Sequence, residues 1–420
     1  MSDNKDLNPI DVQVHDENWK SKIALFLASQ FVSIFGSSLV QYAIIWHITL
    51  TTKSGAAMTI AMMFSFLPQL LITLFAGVWA DRYNRKMMIV LSDSLVAFST
   101  LILALFFISG HQSIWMIYIV SGIRSFGSGI QSPAVSALIP QLVPKDQLAR
   151  INGIFGSIFA IISLIAPAVS GMILSVMSIE ATFFIDVFTA VIGISIMLSI
   201  KIKIHDRATQ AIESSHWQDF KAGLSYVVHH KIVMSLLVFF GFFMFSVTPA
   251  AILSPLLVAR TYGSEVWRLT ANEMAFSAGT VIGGLFVALW AGFNRRYLTI
   301  SLCSIGFGVF TLGLGITASF WVFLGFMFFM GILLPYFNAN TMVILQERVE
   351  VDYQGRVFSF VNIVTGSAMP LGMLVFGPIA DVIPIEWLMI VTGFAMVIQG
   401  IAVFFSKGLR LSHEPLEGVE

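Results

Sequence analysis

Apolar runs of about 20 residues recur along the whole chain, each closed by a short polar or charged turn. At about 1.5 Å of rise per residue such a run spans roughly 30 Å, the hydrocarbon thickness of a bilayer. Read at that length, the pattern predicts helices over 22–48, 56–79, 87–109, 113–139, 151–176 and 180–203. A second set is predicted over 231–259, 269–291, 297–316, 319–346, 356–380 and 385–406. The expected organisation is a tail (1–21), a six-helix half (22–203), a linker (204–230), a second half (231–406) and a closing tail (407–420). In the linker, Trp217, Phe220, Leu224 and Val227 fall at helical spacing with Asp219, Lys221 and Ser225 between them. That spacing predicts a short amphipathic helix lying on the membrane face.

Composition agrees with the pattern. Hydrophobic residues make up 57% of the chain and charged residues 11%, with a mean hydropathy of +0.87. A soluble domain carries about 25% charge, so the chain is expected to be an integral, multi-pass membrane protein with the lipid bilayer as a partner. The net charge is zero, which argues against a nucleic-acid partner. Cys303 is the only cysteine, so disulfides and cysteine metal sites are excluded. His229-His230 has no acid or cysteine at ligand spacing, and neither a metal nor a cofactor is expected. The segment up to Glu17 is polar and acid-rich, with no pattern of a cleaved leader. With both ends cytoplasmic, 19 of the 23 Lys and Arg residues fall on the inner side, and the positive-inside rule fixes that orientation.

The two halves echo each other. Trp79-Ala80-Asp81-Arg82-Tyr83-Asn84-Arg85-Lys86 returns as Trp290-Ala291-Gly292-Phe293-Asn294-Arg295-Arg296, one residue shorter and without the acid. Val143 to Arg150 returns as Val349 to Arg356 with Val, Asp and Arg in register, and the same offset sets Gly171 on Gly377. Three echoes in order indicate duplication and two six-helix repeats about an axis along the membrane normal.

The turn from Gly77 to Lys86 is among the densest charge clusters in the chain. Gly77 permits close helix approach, and Asp81 ends a helix where it can accept bonds from the N-terminus of a neighbouring one. Its pattern, G-x-x-x-D-R-x-x-R-K, resembles the loop between helices 2 and 3 of the major facilitator superfamily at every fixed position. The resemblance implies an all-α membrane fold of 12 transmembrane helices, arranged as two six-helix repeats around a central cavity. It further implies a gating loop of Gly77, Asp81, Arg82, Arg85 and Lys86 that locks against Gly355 and Arg356, where crossing 11 begins. The whole chain is similar to the macrolide-efflux (Mef-type) branch of bacterial drug:proton antiporters. That likeness rests on Trp19-Lys20, Lys53 to Met58, Asp81-Arg82, Ile185-Asp186-Val187, Gly279 to Gly284, Gly355 to Ser359 and Met369 to Gly372. Two motifs of that group are only partly kept: Arg124-Ser125-Phe126-Gly127-Ser128-Gly129 lacks the usual Gln, and Ala166-Pro167 stands where Gly-Pro is usual.

Ionisable residues inside spans are costly and mark function. Asp93, Arg124 and Asp186 are the candidates for proton coupling. By residue rise, Asp93 and Arg124 lie within about 5 Å in depth, so they are expected to meet, with a structural ion pair as the plain alternative. Asp186 is the competing proton site, or a tie between helices. Glu273 follows Thr270 at capping-box spacing and reads as a helix cap. The resemblance places the cargo among crossings 1, 4, 7 and 10, making Gln41, Trp46, Met244, Phe245, Tyr336, Asn338 and Asn340 the candidate binding residues. No acid cluster there suits a divalent metal or a polyamine. No phosphate-cradling G-x-x-x-x-G-K-[ST] loop is present, and no constellation of an enzyme is seen. The expectation is a monomeric, proton-driven exporter of a small hydrophobic or cationic drug in a bacterial plasma membrane. A proton-coupled carrier of a sugar, peptide or other metabolite is the alternative.

Overall fold

The computed structural model describes residues 18–202, 225 and 228–405. The amphipathic helix expected around Trp217, Phe220, Leu224 and Val227 lies outside the described residues. In the first half α1 covers Trp19–Thr52, α2 Gly55–Arg82, α3 Arg85–Ile108, α4 Ile114–Leu142, α5 Leu148–Val176 and α6 Ile179–Ser199. The second half comprises α7 (Lys231–Ile252), α8 (Ser254–Thr261), α9 (Val266–Leu289), α10 (Arg296–Ile316), α11 (Phe320–Arg348), α12 (Val351–Ile379) and α13 (Ile385–Phe405). Helices α7 and α8 together form the seventh crossing. Leu253 separates them and Pro255 opens α8, a position where the missing proline N–H would have been unpaired anyway.

Eleven of these crossings are long and apolar enough to span a bilayer by composition alone. The exception is α4, which carries Arg124 amid serines, glycines and Gln131. It packs on α2 and α3, so its polar stripe faces protein. Within the first half α1 also packs on α5 and α6, and α3 on α6. Within the second, α10 packs on α11 and α13, α9 on α11, and α7 on α12 and α13.

The halves meet along α2–α12 and α5–α9, with a smaller contact between α1 and α8. The internal repeat exchanges the first two of these pairs. A methyl on Gly377 of α12 would lie 1.8 Å from Thr59 Oγ1 of α2, and one on Gly171 of α5 would lie 1.9 Å from Thr270 Oγ1 of α9. The glycines that the sequence echo aligned thus each admit a threonine of the opposite half. Both contacts sit toward the face opposite Asn18 and Phe405, the ends of the described chain, here called the far face. Toward the terminal face, which carries those ends and the Tyr83-Asn84 turn, the interface is loose. A methyl on Gly77, Gly153, Gly156, Gly284 or Gly355 would meet no described atom within 4 Å. Among the described residues the halves are packed together on the far face and parted on the terminal face.

Candidate functional site

A cavity of about 380 Å³ lies between the halves, walled by Gln41, Tyr42, Trp46, Met58 and Met62 of the first and by Ala251, Pro255 and Glu273 of the second, among others. A second cavity of about 210 Å³ shares Ala251 and Glu273 and continues into the second half past Met244, Phe276, Met327 and Met369. The walls are apolar, aromatic and rich in methionine, with a few polar groups. That is the usual make-up of a small-molecule site, and flexible thioethers can adapt to differently shaped ligands.

Beside it, within the first half, α1, α3, α4 and α6 bury a two-layer polar network. In the layer nearer the terminal face, Asp93 Oδ1 accepts from Ser33 at 3.2 Å and from Gln131 Nε2 at 2.7 Å. Its Oδ2 is buried without a partner. In the second layer Arg124 holds Asp186 in an ion pair and also donates to Thr100. Ser37 donates to Asp186 Oδ1 at 3.3 Å, and Ser37 in turn accepts from Arg124 through its carbonyl at 3.3 Å. Asp93, Arg124 and Asp186 are only 5%, 7% and 1% exposed. The expected Asp93–Arg124 pair is therefore corrected: Arg124 belongs to Asp186. The reason is register, since Thr100, seven residues past Asp93 on α3, is the α3 residue that meets Arg124, and Gln131, seven past Arg124 on α4, is the one that meets Asp93.

Arg85 and Lys86 of the charged turn between α2 and α3 are held by their own half. Arg85 donates to the carbonyls of Ala80 and Ala137, each at 2.8 Å, and Lys86 to those of Leu198 and Ile200, each at 2.8 Å. The Asp81 side chain is 77% exposed and meets Arg85 at 3.4 Å. Among the described residues it makes no bond to the start of α12 in this conformation.

The far face carries the reverse arrangement. Asp381, just past the end of α12, accepts from the backbone N–H of Gly55 at 2.7 Å, that of Ala56 at 2.9 Å and the Ser54 hydroxyl at 2.7 Å. It thereby caps the N-terminus of α2, where the helix dipole favours a carboxylate. Arg260 of α8 pairs with it at 2.7 Å and also donates to the Lys53 and Ala380 carbonyls. One turn inward, Thr59 donates to the Met373 carbonyl at 3.0 Å. Burial alone would push the Asp381 carboxyl up. The bonds from Ser54, Ala56, Gly55 and Arg260 outweigh it and hold the carboxyl below its ordinary range.

Comparison with known proteins meets this geometry. The family model described as Major Facilitator Superfamily matches residues 26–271 and 270–418. The chain belongs to the major facilitator superfamily. It is 29% identical over 383 residues to macrolide efflux protein A of Streptococcus pyogenes, covering 90% of this chain and 94% of that one. To the protein of the same name from Enterococcus faecalis it is 30% identical over 323 residues, covering 76% of this chain and all of that one. The solved structure of a bacterial homolog to the human lysosomal transporter Spinster superposes with a TM-score of 0.64 at 14% identity, covering 95% of this chain and 98% of that one. That likeness speaks to the fold alone.

Within this superfamily member the expected binding residues divide. Gln41, Trp46 and Met244 line the cavities. Phe245 instead packs on Phe376 with ring centroids 4.9 Å apart. Tyr336 packs on Trp290, Asn338 is exposed, and Asn340 donates to the Ala291 and Tyr336 carbonyls. Asn340 thus pins the turn after α9, where Gly292 has φ +105°. Among the described residues crossing 4 lines neither cavity, whereas crossings 2 and 8 do. Glu273 is not a cap: α9 begins at Val266 with Glu265 as its N-cap, which leaves Glu273 two turns inside and facing the cavity. Asp381 and Arg260 were not singled out by sequence. The available signal was an acid closing crossing 11 as Asp81 closes crossing 2.

Proposed function

We propose that this chain exports bulky, largely apolar drugs, macrolides first among them, in exchange for protons and by alternating access. The observation that carries the reading is the cavity walled by both halves, sealed on the far face by the contacts around Asp381, Gly377 and Gly171 and parted on the other. An interface of that form can rock, exposing one site to each side in turn. The cargo class is supported by the full-length likeness to two proteins named macrolide efflux protein A. The distribution of basic residues supports termini on the cytoplasmic side of a bacterial plasma membrane, so the parted mouth opens inward.

Asp93 is the coupling site in this reading. It is buried, one of its oxygens has no partner, and the cation within the first half's core is already committed to Asp186. A bound proton neutralises Asp93 in place; its loss leaves a charge that the packed helices must accommodate by moving. The test uses everted membrane vesicles, in which drug uptake should accelerate under an imposed acid interior and collapse with a protonophore. Asp93→Asn should bind drug as before yet lose that acceleration, by at least about tenfold, the scale of 1.4 kcal/mol in coupling. Normal proton dependence in Asp93→Asn would remove Asp93 from the mechanism and pass the role to Asp186.

A further inference from the structure

Among the described in-span ionisable groups, Glu273 is provided for differently. Asp186 has Arg124, and Asp93 has Ser33 and Gln131. Glu273, two turns inside α9, has no hydrogen-bond donor and no cation among the described residues. It borders both cavities, and no Lys, Arg or His stands among the residues lining either. A carboxylate within a membrane span and without a partner is costly. Here the partner's place is the cavity itself.

We infer that Glu273 is the counter-charge for a monovalent organic cation, the ammonium or phosphonium end of an amphiphilic cargo bound in the central cavity. This deepens the export reading and rests on it for the word cargo. The walls suit such a ligand. The rings of Tyr42, Trp46 and Phe66 border the larger cavity and Phe276 the smaller, and a cation over an aromatic face gains roughly 0.5–2 kcal/mol, most where water is excluded. The valence follows from the count of acids: among the described residues Glu273 is the only acidic side chain lining either cavity, so one positive charge is matched and two are not. The two cavities meet at Glu273, so a cationic head can sit there while apolar groups extend either way. Neutral cargo loses this one interaction and keeps the apolar walls.

The experiment compares two ligands of similar ring content, tetraphenylphosphonium and neutral triphenylphosphine oxide, binding to the purified full-length protein in detergent. Wild type should bind the cation at least about tenfold more tightly. Glu273→Gln should abolish most of that preference while the neutral ligand's affinity changes less than about threefold, and Glu273→Asp should retain most of it. Equal wild-type affinity for the two ligands overturns the inference without any variant, so a poorly folded Glu273→Gln leaves it testable. An equal loss of both ligands in Glu273→Gln, with the cation preference absent in Glu273→Asp, overturns it as well and makes the residue structural. Transport in proteoliposomes judges the export reading separately. Cation preference without export overturns that reading and leaves the Glu273 site standing, whereas export without the preference does the reverse.

Discussion

At the scale of single residues, Arg124 and Asp93 sit in one polar network with opposite consequences when changed. Arg124 and Asp186 are a buried pair whose side chains are 9% and 1% exposed. Removing one member strands the other charge, at about 3–5 kcal/mol, whereas removing both charges is far milder. Arg124→Gln should therefore lower the thermal unfolding temperature in detergent sharply, and Arg124→Gln with Asp186→Asn should recover a large part of the loss. Asp93→Asn should remain close to wild type, because the amide oxygen can still accept from Ser33 and Gln131. A mild Arg124→Gln would show that the pair carries little of the fold. The sequence marked these three residues out, since each is an ion in an apolar span. It could not pair them. Depth along a helix is readable from residue rise, but which turn of α3 meets Arg124 depends on tilt and register between α3 and α4, and a slip of two turns exchanges Asp93 for Thr100.

Among the elements, the pairs α2–α12 and α5–α9 depend on two glycines that leave room for threonines of the other half. With a methyl at Gly377 or Gly171 placed under 2 Å from a threonine hydroxyl, something must shift, and overpacking of this kind costs about 1–3 kcal/mol. Only the far-face-closed conformation bears that cost. Gly377→Val or Gly171→Val should thus favour the state open on the far face by at least about fivefold. A cavity cysteine, Met62→Cys in a Cys303→Ser background, should then react correspondingly faster with an impermeant thiol reagent from the far face. Unchanged labelling would mean that these glycines only ease packing. The helices themselves were readable, because bilayer thickness sets a run length that composition displays directly. The duplication was readable too, including the alignment of Gly171 with Gly377. Element ends were less so, and one mattered: placing the start of α9 at Glu265–Val266 rather than near 269 turns Glu273 from a cap into a cavity residue.

Over the whole molecule, α2 and α12 can lock at either end by the same device used in opposite senses. On the far face Asp381, after α12, caps the N-terminus of α2. On the terminal face Asp81, near the end of α2, stands exposed, and we extend the same capping role to it, at the N-terminus of α12, for the state in which that mouth is closed. Charge-assisted capping of this sort is worth about 1–2 kcal/mol, so each lock can bias the rocking equilibrium roughly five- to thirtyfold. Protons do not work the far lock at ordinary pH. The Asp381 carboxyl is held below its usual range in the closed state. Its contribution is therefore complete above the ordinary carboxylate range and fades only as pH falls through the lower closed-state value. Between about pH 5.5 and 8 the lock is constant, which leaves the pH response to buried groups such as Asp93. Asp381→Asn should accordingly raise far-face labelling of Met62→Cys at every pH in that interval without changing its pH dependence. Asp81→Asn should lower far-face labelling, because it weakens only the state open on the far face. The double variant should return toward wild type, since the two effects act on one equilibrium from opposite sides. If Asp81→Asn and Asp381→Asn shift labelling in the same direction, α2 and α12 do not exchange one lock for the other.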